Sequence, residues 1–272
     1  MLLIGLTGSI ATGKSTVSSL LSSPPYSLPI IDADVLAREV VEPGTKGYRA
    51  IVAHFGPSVL VPASDTMPEA GPTGKGRPLN RPALGRQVFG DEPTARKNRA
   101  VLNGIVHPAV RRAMFFAAAR AYFAGHRAVV LDVPLLFEGR LDRFCGTVMV
   151  VAVRDPKVQM QRLRARDEHL TEEDAENRVK SQGDVRVKAA RCQARGGRGR
   201  GVVVWNDHGR EELAMEVQRA MSEIEAASPS WWSLALLLCP PAAVVIGTWN
   251  FWQNVRTNRY WAKREERERA KL

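Results

Sequence analysis

The chain has 272 residues, of which 44% are hydrophobic, enough for a sizeable core in one or two domains. The net charge of +11 suits polyanionic partners such as nucleotides, anionic lipid or nucleic acid. Cys145, Cys192 and Cys239 lie far apart without metal-ligand spacing, which excludes a disulfide framework and a cysteine-ligated zinc site and fits a reducing compartment. An apolar strand predicted from Leu2 leaves no room for an N-terminal targeting peptide, so we expect any targeting signal elsewhere.

The first sixteen residues predict a nucleotide-phosphate site. An apolar run at Leu2–Leu6 indicates a buried strand, Gly8–Ser15 fits the G-x-x-x-x-G-K-[ST] pattern, and a helix follows from near Lys14 to Leu21. Gly8 and Gly13 allow N–H groups to turn around an anion, and the helix dipole favours the same spot. Lys14 can reach the β- and γ-phosphates, and the Ser15 hydroxyl suits Mg²⁺. A chance match in a glycine-rich turn would lack this strand–loop–helix context.

Further along the chain, short apolar runs alternate with helical patterns. We predict strands at 29–34, 128–133, 146–153 and 202–205, and helices at 35–41, 48–55, 79–110 with a break at 91–93, 108–123, 156–166, from 171 onward, and 210–226. Residues 56–78, rich in Gly, Pro, Ser and Thr, read as an exposed loop. Fully apolar strands alternating with helices indicate an α/β fold with a parallel sheet covered by helices on both faces.

Two carboxylates follow the second predicted strand. Ligands of such sheets bind at the carboxyl ends of the strands, so Asp32 and Asp34 should face the phosphate loop. On an extended segment, residues two apart point to the same side. One carboxylate could accept a proton from a substrate hydroxyl while the other orients a group. The alternative is that they cap the next helix.

Arg162 and Arg166 are four residues apart and share one face of a predicted helix. Phosphoryl transfer needs cations around the transferred group, although a solvated basic face would look the same. His107 precedes Pro108, so it either binds substrate or ends a helix before the proline.

Together these pieces resemble the dephospho-coenzyme A kinase family. The resemblance spans roughly residues 2–220 and rests on Gly5–Thr16, Asp32–Arg38, Val41–Gly44, Ile105–Pro108, Leu131–Glu138, Arg162–Arg166 and a late strand ending at Asn206. The chain departs from the family pattern at Ser9, where a glycine is usual, in the long 56–78 insertion, and in an Arg/Gly-rich run at 193–201.

The resemblance implies a three-layer P-loop kinase fold with helical substrate and lid regions. It implies transfer of the γ-phosphate of ATP, with Mg²⁺, to the ribose 3′-hydroxyl of dephospho-CoA, giving coenzyme A and ADP. Asp34 resembles the general base, Lys14 and Arg166 assist transfer, and Ser15 and Asp132 serve the metal. The resemblance places Gly8, Ser9, Ile10, Ala11, Thr12, Gly13, Lys14, Ser15, Thr16, Arg162 and Asn206 at ATP, and Asp32, Arg38, His107, Pro134, Leu135, Phe137 and Glu138 at the acceptor.

Three other functions fit the sequence less well. Another nucleoside or nucleotide kinase of the same fold is the nearest alternative. A membrane-tethered regulatory NTPase is disfavoured because the chain has no Asn-Lys-x-Asp motif and Asp132 is followed by Val-Pro-Leu. A pseudoenzyme is disfavoured because Lys14, Ser15, Asp34 and Asp132 are all present. We expect no nucleic-acid partner, and association with other enzymes of the coenzyme A pathway stays open.

The end of the chain predicts a membrane segment. Trp231–Trp252 carries no charge over roughly the 20 residues that a bilayer core requires, with tryptophans at both ends. We therefore divide the chain into a kinase-like domain (1–226), a hydrophobic helix as anchor (227–252) and a charged tail (253–272). A buried helix of the soluble domain is the alternative, and Pro240-Pro241 leaves span and hairpin both open. We expect a cytosolic catalytic domain anchored to the endoplasmic reticulum, the outer mitochondrial membrane or a lipid droplet.

Overall fold

The computed structural model describes residues 1–64, 66–167, 171–181, 183–197 and 199–270. Asp65 of the predicted loop, Arg198 of the Arg/Gly run, and Lys271 and Leu272 of the predicted tail lie outside the described residues. The chain forms two compact units. One contains Met1–Ile31 and Arg120–Leu272, and the other contains Asp32–Ala119.

A five-stranded sheet forms the centre of the first unit. Its strands are β1 (Leu2–Gly8), β2 (Ile30–Asp32), β3 (Ala128–Asp132), β4 (Thr147–Ala152) and β5 (Gly201–Trp205), in the order β2-β3-β1-β4-β5. β1 pairs in parallel with β3 and β4, and β4 pairs in parallel with β5. Every residue of β3 and β4 is buried, as expected for strands that read as continuous apolar runs. The predicted α/β fold with a parallel sheet is confirmed.

The helices of the described residues are α1 (Lys14–Ser22), α2 (Ala33–Glu39), α3 (Lys46–Phe55), α4 (Arg81–Val88), α5 (Pro93–Phe123), α6 (Pro156–Arg166), α7 (Glu172–Ser181), α8 (Val185–Gln193), α9 (Arg210–Ala227), α10 (Ser230–Leu238) and α11 (Pro240–Arg269). Short 3₁₀ turns occur at Pro57–Val59 and Leu141–Phe144. α8 is the helix that the sequence patterns did not predict.

Alternation along the strands sends side chains to both faces of the sheet. On one face, Ile4, Leu6, Met149 and Val151 share a core with α1 and α9. On the other face, the Cys192 thiol of α8 donates to the carbonyl of Val148 at 3.2 Å. Helices therefore cover both faces of the sheet.

The second unit is helical. Its core contains Ile51, Phe55, Val59, Leu84 and Val88, from α3, α4 and the turn between them. Within the 56–78 segment, Val59 is fully buried, so this stretch is not wholly an exposed loop.

Of the two interpretations of His107, the one in which it ends a helix before Pro108 is wrong, because α5 runs through the proline without interruption. An internal proline costs about 3 kcal/mol through its missing N–H and its clash with the preceding turn. Leu102, Ile105 and Val106, just before the proline, pack against the core of this unit, and such packing offsets the local cost.

Two helices, not one, form the C-terminal region, so the prediction of a single hydrophobic helix is not confirmed. The described chain has no single helix long and apolar enough to cross a membrane; α10 and α11 meet that test only as a pair, bent by 116° at their break. α11 continues without interruption past residue 252. Both helices belong to the first unit and pack on the rest of it: Tyr122 Oη donates to the carbonyl of Leu236 at 2.8 Å, and Asn254 is 1% exposed.

Candidate active site

The phosphate loop has the predicted strand–loop–helix form, from β1 directly into α1. Gly13 has a φ of 91°, and a Cβ there would lie 2.2 Å from Nδ2 of Asn206. Gly8 is required for a different reason, because its Cβ would lie 2.7 Å from the carbonyl oxygen of Val151. Ser9 is not among the residues with positive φ, so a side chain is tolerated where the family usually has glycine.

Hydrogen bonds with distant parts of the first unit hold this loop in place. Asn206 Nδ2 donates to the carbonyl of Thr12 at 2.9 Å, and Gln159 Nε2 donates to that of Ile10 at 2.8 Å. Ser9 Oγ donates to the carbonyl of Gly183 at 3.3 Å. The first N–H groups of α1 have no intrahelical acceptor, so they are available to an anion held in this fixed loop.

Lys14 of the loop, which is partly buried, forms an ion pair with the buried carboxylate of Asp132. Asp132 ends β3, opposite Leu6 in the register with β1, which brings its carboxylate to the edge where α1 begins. The Ser15 hydroxyl, in the first turn of α1, is exposed. Hydroxyl and carboxylate oxygens are the hard ligands that Mg²⁺ prefers, so Ser15 and Asp132 fit a magnesium ion carried by nucleotide phosphates.

A cavity of about 450 Å³ adjoins the start of α1. Its wall includes Arg162, whose guanidinium donates to the carbonyls of Asn206 at 2.6 Å and His208 at 2.8 Å. The planar group is therefore held against the cavity. The full lining is Ser15, Thr16, Ser19, Arg162, Asn206, His208, Gly209, Arg210 and Leu213. The structure thus brings together Ser15, Thr16, Arg162 and Asn206, which the sequence assigned to ATP.

Arg166 lies at the end of α6 and is half-exposed. Its guanidinium makes two hydrogen bonds of 3.0 Å to the carboxylate of Asp167. Asp167 also pairs with Arg178 of α7 at 3.4 Å. Asp167 therefore links Arg166, at the end of α6, to Arg178 of α7. Arg166 does not line the cavity beside α1, so its role at the transferred group stays a prediction.

The Pro134–Glu138 segment follows β3 and is tied to both β1 and α8. The carbonyl of Pro134 accepts hydrogen bonds from Thr7 Oγ1 at 2.8 Å and Lys188 Nζ at 3.2 Å. Lys188 also pairs with Glu138 at 3.1 Å. Phe137 is buried beneath the guanidinium of Arg191, at 4.6 Å from the ring centre, whereas Leu135 is exposed.

Asp32, Asp34, Arg38 and His107 belong to the second unit. Asp32 is the N-cap of α2: its Oδ1 accepts from the N–H groups of Asp34 at 2.7 Å and Val35 at 3.1 Å. Asp34 is an exposed residue in the first turn of that helix. The expectation that both lie on an extended segment is therefore wrong, because the strand ends at Asp32, and the capping interpretation holds for Asp32.

The comparison that decides the family is a match of residues 2–194 to the family model described as dephospho-CoA kinase. The chain belongs to the dephospho-CoA kinase family. It is 46% identical over 192 residues to dephospho-CoA kinase CAB5 of Saccharomyces cerevisiae, covering 70% of this chain and 73% of that protein. It is also 41% identical over 247 residues to uncharacterized protein C14G10.01 of Schizosaccharomyces pombe, covering 90% of this chain and 92% of the relative.

A solved structure supports the same fold. The crystal structure of TT1252 from Thermus thermophilus superposes with a TM-score of 0.61 at 27% identity, covering 81% of this chain and 96% of that one. α11 lies wholly beyond the stretch matched by the family model.

Some candidate residues were not foreseen from the sequence. Lys188 and Gln159 lie on helices and contact carbonyls that only the folded chain brings near. A clue to α8 was present, since Asp184 is an N-cap that accepts from the N–H of Arg186 at 2.8 Å.

The second unit contains a cavity of about 250 Å³. Arg38 lines it, as do Arg81 and Glu42, among apolar side chains from α2 to α5. The sequence singled out Arg38 but not Arg81. His107, exposed on α5, is not part of this lining.

Proposed function

We propose that the chain transfers the γ-phosphoryl group of ATP to the ribose 3′-hydroxyl of dephospho-CoA. The observation that carries the proposal is a complete phosphate loop, with Lys14 and Asp132 beneath it, in a chain that belongs to this family. Backbone N–H groups at the start of α1 bind the phosphates, and Arg162 stabilises the base in the adjoining cavity. Arg38 and Arg81 give the second unit the cations that an acceptor carrying a diphosphate requires.

The reaction forms a bond between the acceptor oxygen and the γ-phosphorus and breaks the bond to the β–γ bridging oxygen. Asp34, exposed at the start of α2, accepts the proton of the 3′-hydroxyl. Lys14 exchanges Asp132 for the phosphates and stabilises their charge. Ser15 and Asp132 would hold Mg²⁺, which would supply positive charge beside the phosphates. The former bridging oxygen stays with ADP as a terminal oxygen of its β-phosphate, which the loop binds.

The direct test compares acceptors. The purified full-length chain, with ATP and Mg²⁺, should release ADP with dephospho-CoA and at least about 100-fold more slowly with nucleosides or nucleoside monophosphates, since sites that hydrogen-bond a whole substrate discriminate by such factors. Faster turnover of a nucleotide than of dephospho-CoA would assign the chain to a different kinase of the same fold. ADP release without any acceptor would favour an NTPase.

We further propose that α10 and α11 lie in the plane of an anionic membrane surface. The proposal is supported by large apolar side chains that remain exposed on both helices: Trp231, Leu234, Leu238, Val244, Val245, Trp249 and Trp252. Along α11, Val245, Trp249, Trp252, Arg256, Arg259 and Lys263 are spaced by three or four residues and share one face. Exposed aromatic residues followed by basic ones match an interface between lipid tails and anionic headgroups.

Helix length favours this in-plane arrangement over a span. α10 is about 14 Å long, and the apolar part of α11, up to Trp252, is about 20 Å long at 1.5 Å per residue. Each is shorter than the bilayer core of about 30 Å. The charged half of α11 is fixed to the rest of the first unit by buried Asn254 and Trp261, so it is not free to cross the bilayer. The catalytic units would then face the cytosol.

Vesicle sedimentation tests this arrangement. The full-length chain should pellet with vesicles containing phosphatidylserine more than with neutral ones, and a wash at alkaline carbonate should release it. Replacing both Trp249 and Trp252 by Glu should abolish pelleting, whereas Met215→Glu, which changes an exposed apolar residue of α9, should not. Equal binding by the double variant would remove this face from the interaction, and resistance to carbonate would show an inserted segment.

A further inference from the structure

A buried polar cluster joins α11 to the rest of the first unit. Arg195 and Asp142 form an ion pair at 3.2 Å in which both side chains are at most 1% exposed. Asn254 completes the cluster, because its Oδ1 accepts from Arg195 Nη2 at 2.9 Å. A buried ion pair is stable only when its remaining donors and acceptors are also satisfied, so the contribution from α11 matters.

Asn254 uses the full hydrogen-bonding capacity of its side chain. Its Nδ2 donates to the carbonyls of Arg143 at 3.0 Å and Cys145 at 2.9 Å. Its Oδ1 accepts from Arg200 Nη2 at 2.8 Å as well as from Arg195. A single side chain thus binds the 3₁₀ turn after the Pro134–Glu138 segment and also Arg195 and Arg200, which precede β5.

Asn258, one turn further along α11, extends the cluster toward α8. Its Nδ2 donates to Asp142 Oδ2 at 2.8 Å, and its Oδ1 accepts from Arg191 Nη2 at 3.2 Å. Asp142 Oδ1 is buried without a hydrogen-bond partner among the described residues, so Oδ2 takes both Arg195 and Asn258. Without Asn258, the Asp142 carboxylate would keep only its contact with Arg195.

The same cluster contacts the segment proposed to bind the acceptor. Arg191 covers the ring of Phe137, and Lys188, one turn earlier on α8, holds Pro134 and Glu138. The N–H groups of Leu141 and Asp142 donate to the carbonyl of Leu136 at 3.0 and 3.4 Å. α8 and the 3₁₀ turn therefore connect α11 to this segment from two sides.

We infer that Asn254 and Asn258 are positioning residues for the Pro134–Glu138 segment, so that α11 contributes to the geometry of the acceptor site. The inference rests on the proposed function only for the identity of the substrate that the segment binds. A helix that lies beyond the family-model match thus sets the geometry of a segment inside it.

The test uses the full-length Asn258→Ala chain, with Asn250→Ala as the matched control one helical turn before Asn254. The change removes hydrogen bonds to a buried carboxylate and to Arg191, so the KM for dephospho-CoA should rise about fivefold to tenfold while the KM for ATP stays within twofold. Asn258→Gln, which keeps the donor and acceptor, should restore most of the affinity. Asn250→Ala should change neither constant.

Hydrogen exchange gives an independent measurement. In Asn258→Ala, amides of residues 134–142 should exchange faster while those of the phosphate loop do not. This result needs no turnover, so it separates failure of the inference from failure of the proposed function. Unchanged exchange at 134–142 would overturn the inference, since α11 would then not support this segment. Equal increases in both KM values, or faster exchange throughout the first unit, would also overturn it, since α11 would then support the core as a whole.

Discussion

Individual side chains show where sequence patterns are informative about the site. The phosphate loop could be predicted because Gly13, Lys14 and Ser15 act through local backbone geometry, which the motif itself encodes. Asn206, whose side chain leaves no room for a Cβ at Gly13, lies almost two hundred residues away, and no sequence pattern predicts that contact. Likewise the strand ending at Asp32 was expected two residues too long, because a capping aspartate and a strand end look alike in sequence.

Asp34 is the residue on which the proposed chemistry depends most. Asp34→Asn removes the proton acceptor without changing side-chain size, so turnover should fall about 10²- to 10⁴-fold. ATP binding, measured by calorimetry, should stay within about threefold of the unchanged chain. Asp91→Asn, at an exposed carboxylate of the same unit, serves as a control for loss of surface charge. Near-normal turnover by Asp34→Asn would remove this residue from the mechanism.

The cysteines give a second prediction for single residues. Burial raises the pKa of Cys145 and of Cys192 to about 12, whereas Cys239 is exposed at the break between α10 and α11. The thiolate is the reactive form, so at pH 8 the two buried thiols should stay unmodified in the folded chain. A thiol reagent should therefore modify Cys239 alone, and Cys239→Ser should react with none. Rapid modification of two or more thiols would contradict the structure of the sheet core.

At the scale of elements, the strands and most helices could be predicted because apolar runs and capping residues are local signals. The patterns predicted helix on both sides of Pro108, but not that one helix, α5, continues through it, where packing on the core outweighs the local effect of the proline. α8 was missed because its apolar residues are mostly small and alternate with Arg and Lys, and because one of its buried residues is Lys188. The bend between α10 and α11 follows from Pro240-Pro241, but the docking of α11 depends on distant partners of Asn254.

Two glycines in helices of the second unit should respond oppositely to the same substitution. At Gly104 of α5 a Cβ meets nothing within 4 Å, so Gly104→Ala should raise the free energy of unfolding by about 0.5–1 kcal/mol. At Gly47 of α3 a Cβ would lie 2.3 Å from the carbonyl oxygen of Val40. Gly47→Ala should therefore destabilise the chain by about 1–3 kcal/mol. Denaturant unfolding measures both, and shifts of the same sign would contradict this geometry.

For the whole molecule, the sequence predicted the α/β class and the family, because a parallel sheet and an ordered series of motifs are encoded along the chain. It did not predict the division into two compact units, which depends on how helices from 32–119 pack on one another. Nor did it predict that the C-terminal region joins the first unit. Residues 230–238 of the predicted anchor form α10, and residues 240–252 begin α11, which continues through residue 269 of the predicted tail. Asn254 and Asn258 fall within the stretch predicted as a tail.

The central claim is that this chain phosphorylates the ribose 3′-hydroxyl of dephospho-CoA. The most direct measurement is phosphorus NMR of the product made by the purified full-length chain from ATP, Mg²⁺ and dephospho-CoA. We predict one new phosphomonoester resonance, coupled to the ribose 3′ proton, in a product that coelutes with coenzyme A and forms in equal amount with ADP. A phosphate on any other hydroxyl, or ADP formed without this product, would contradict the claim.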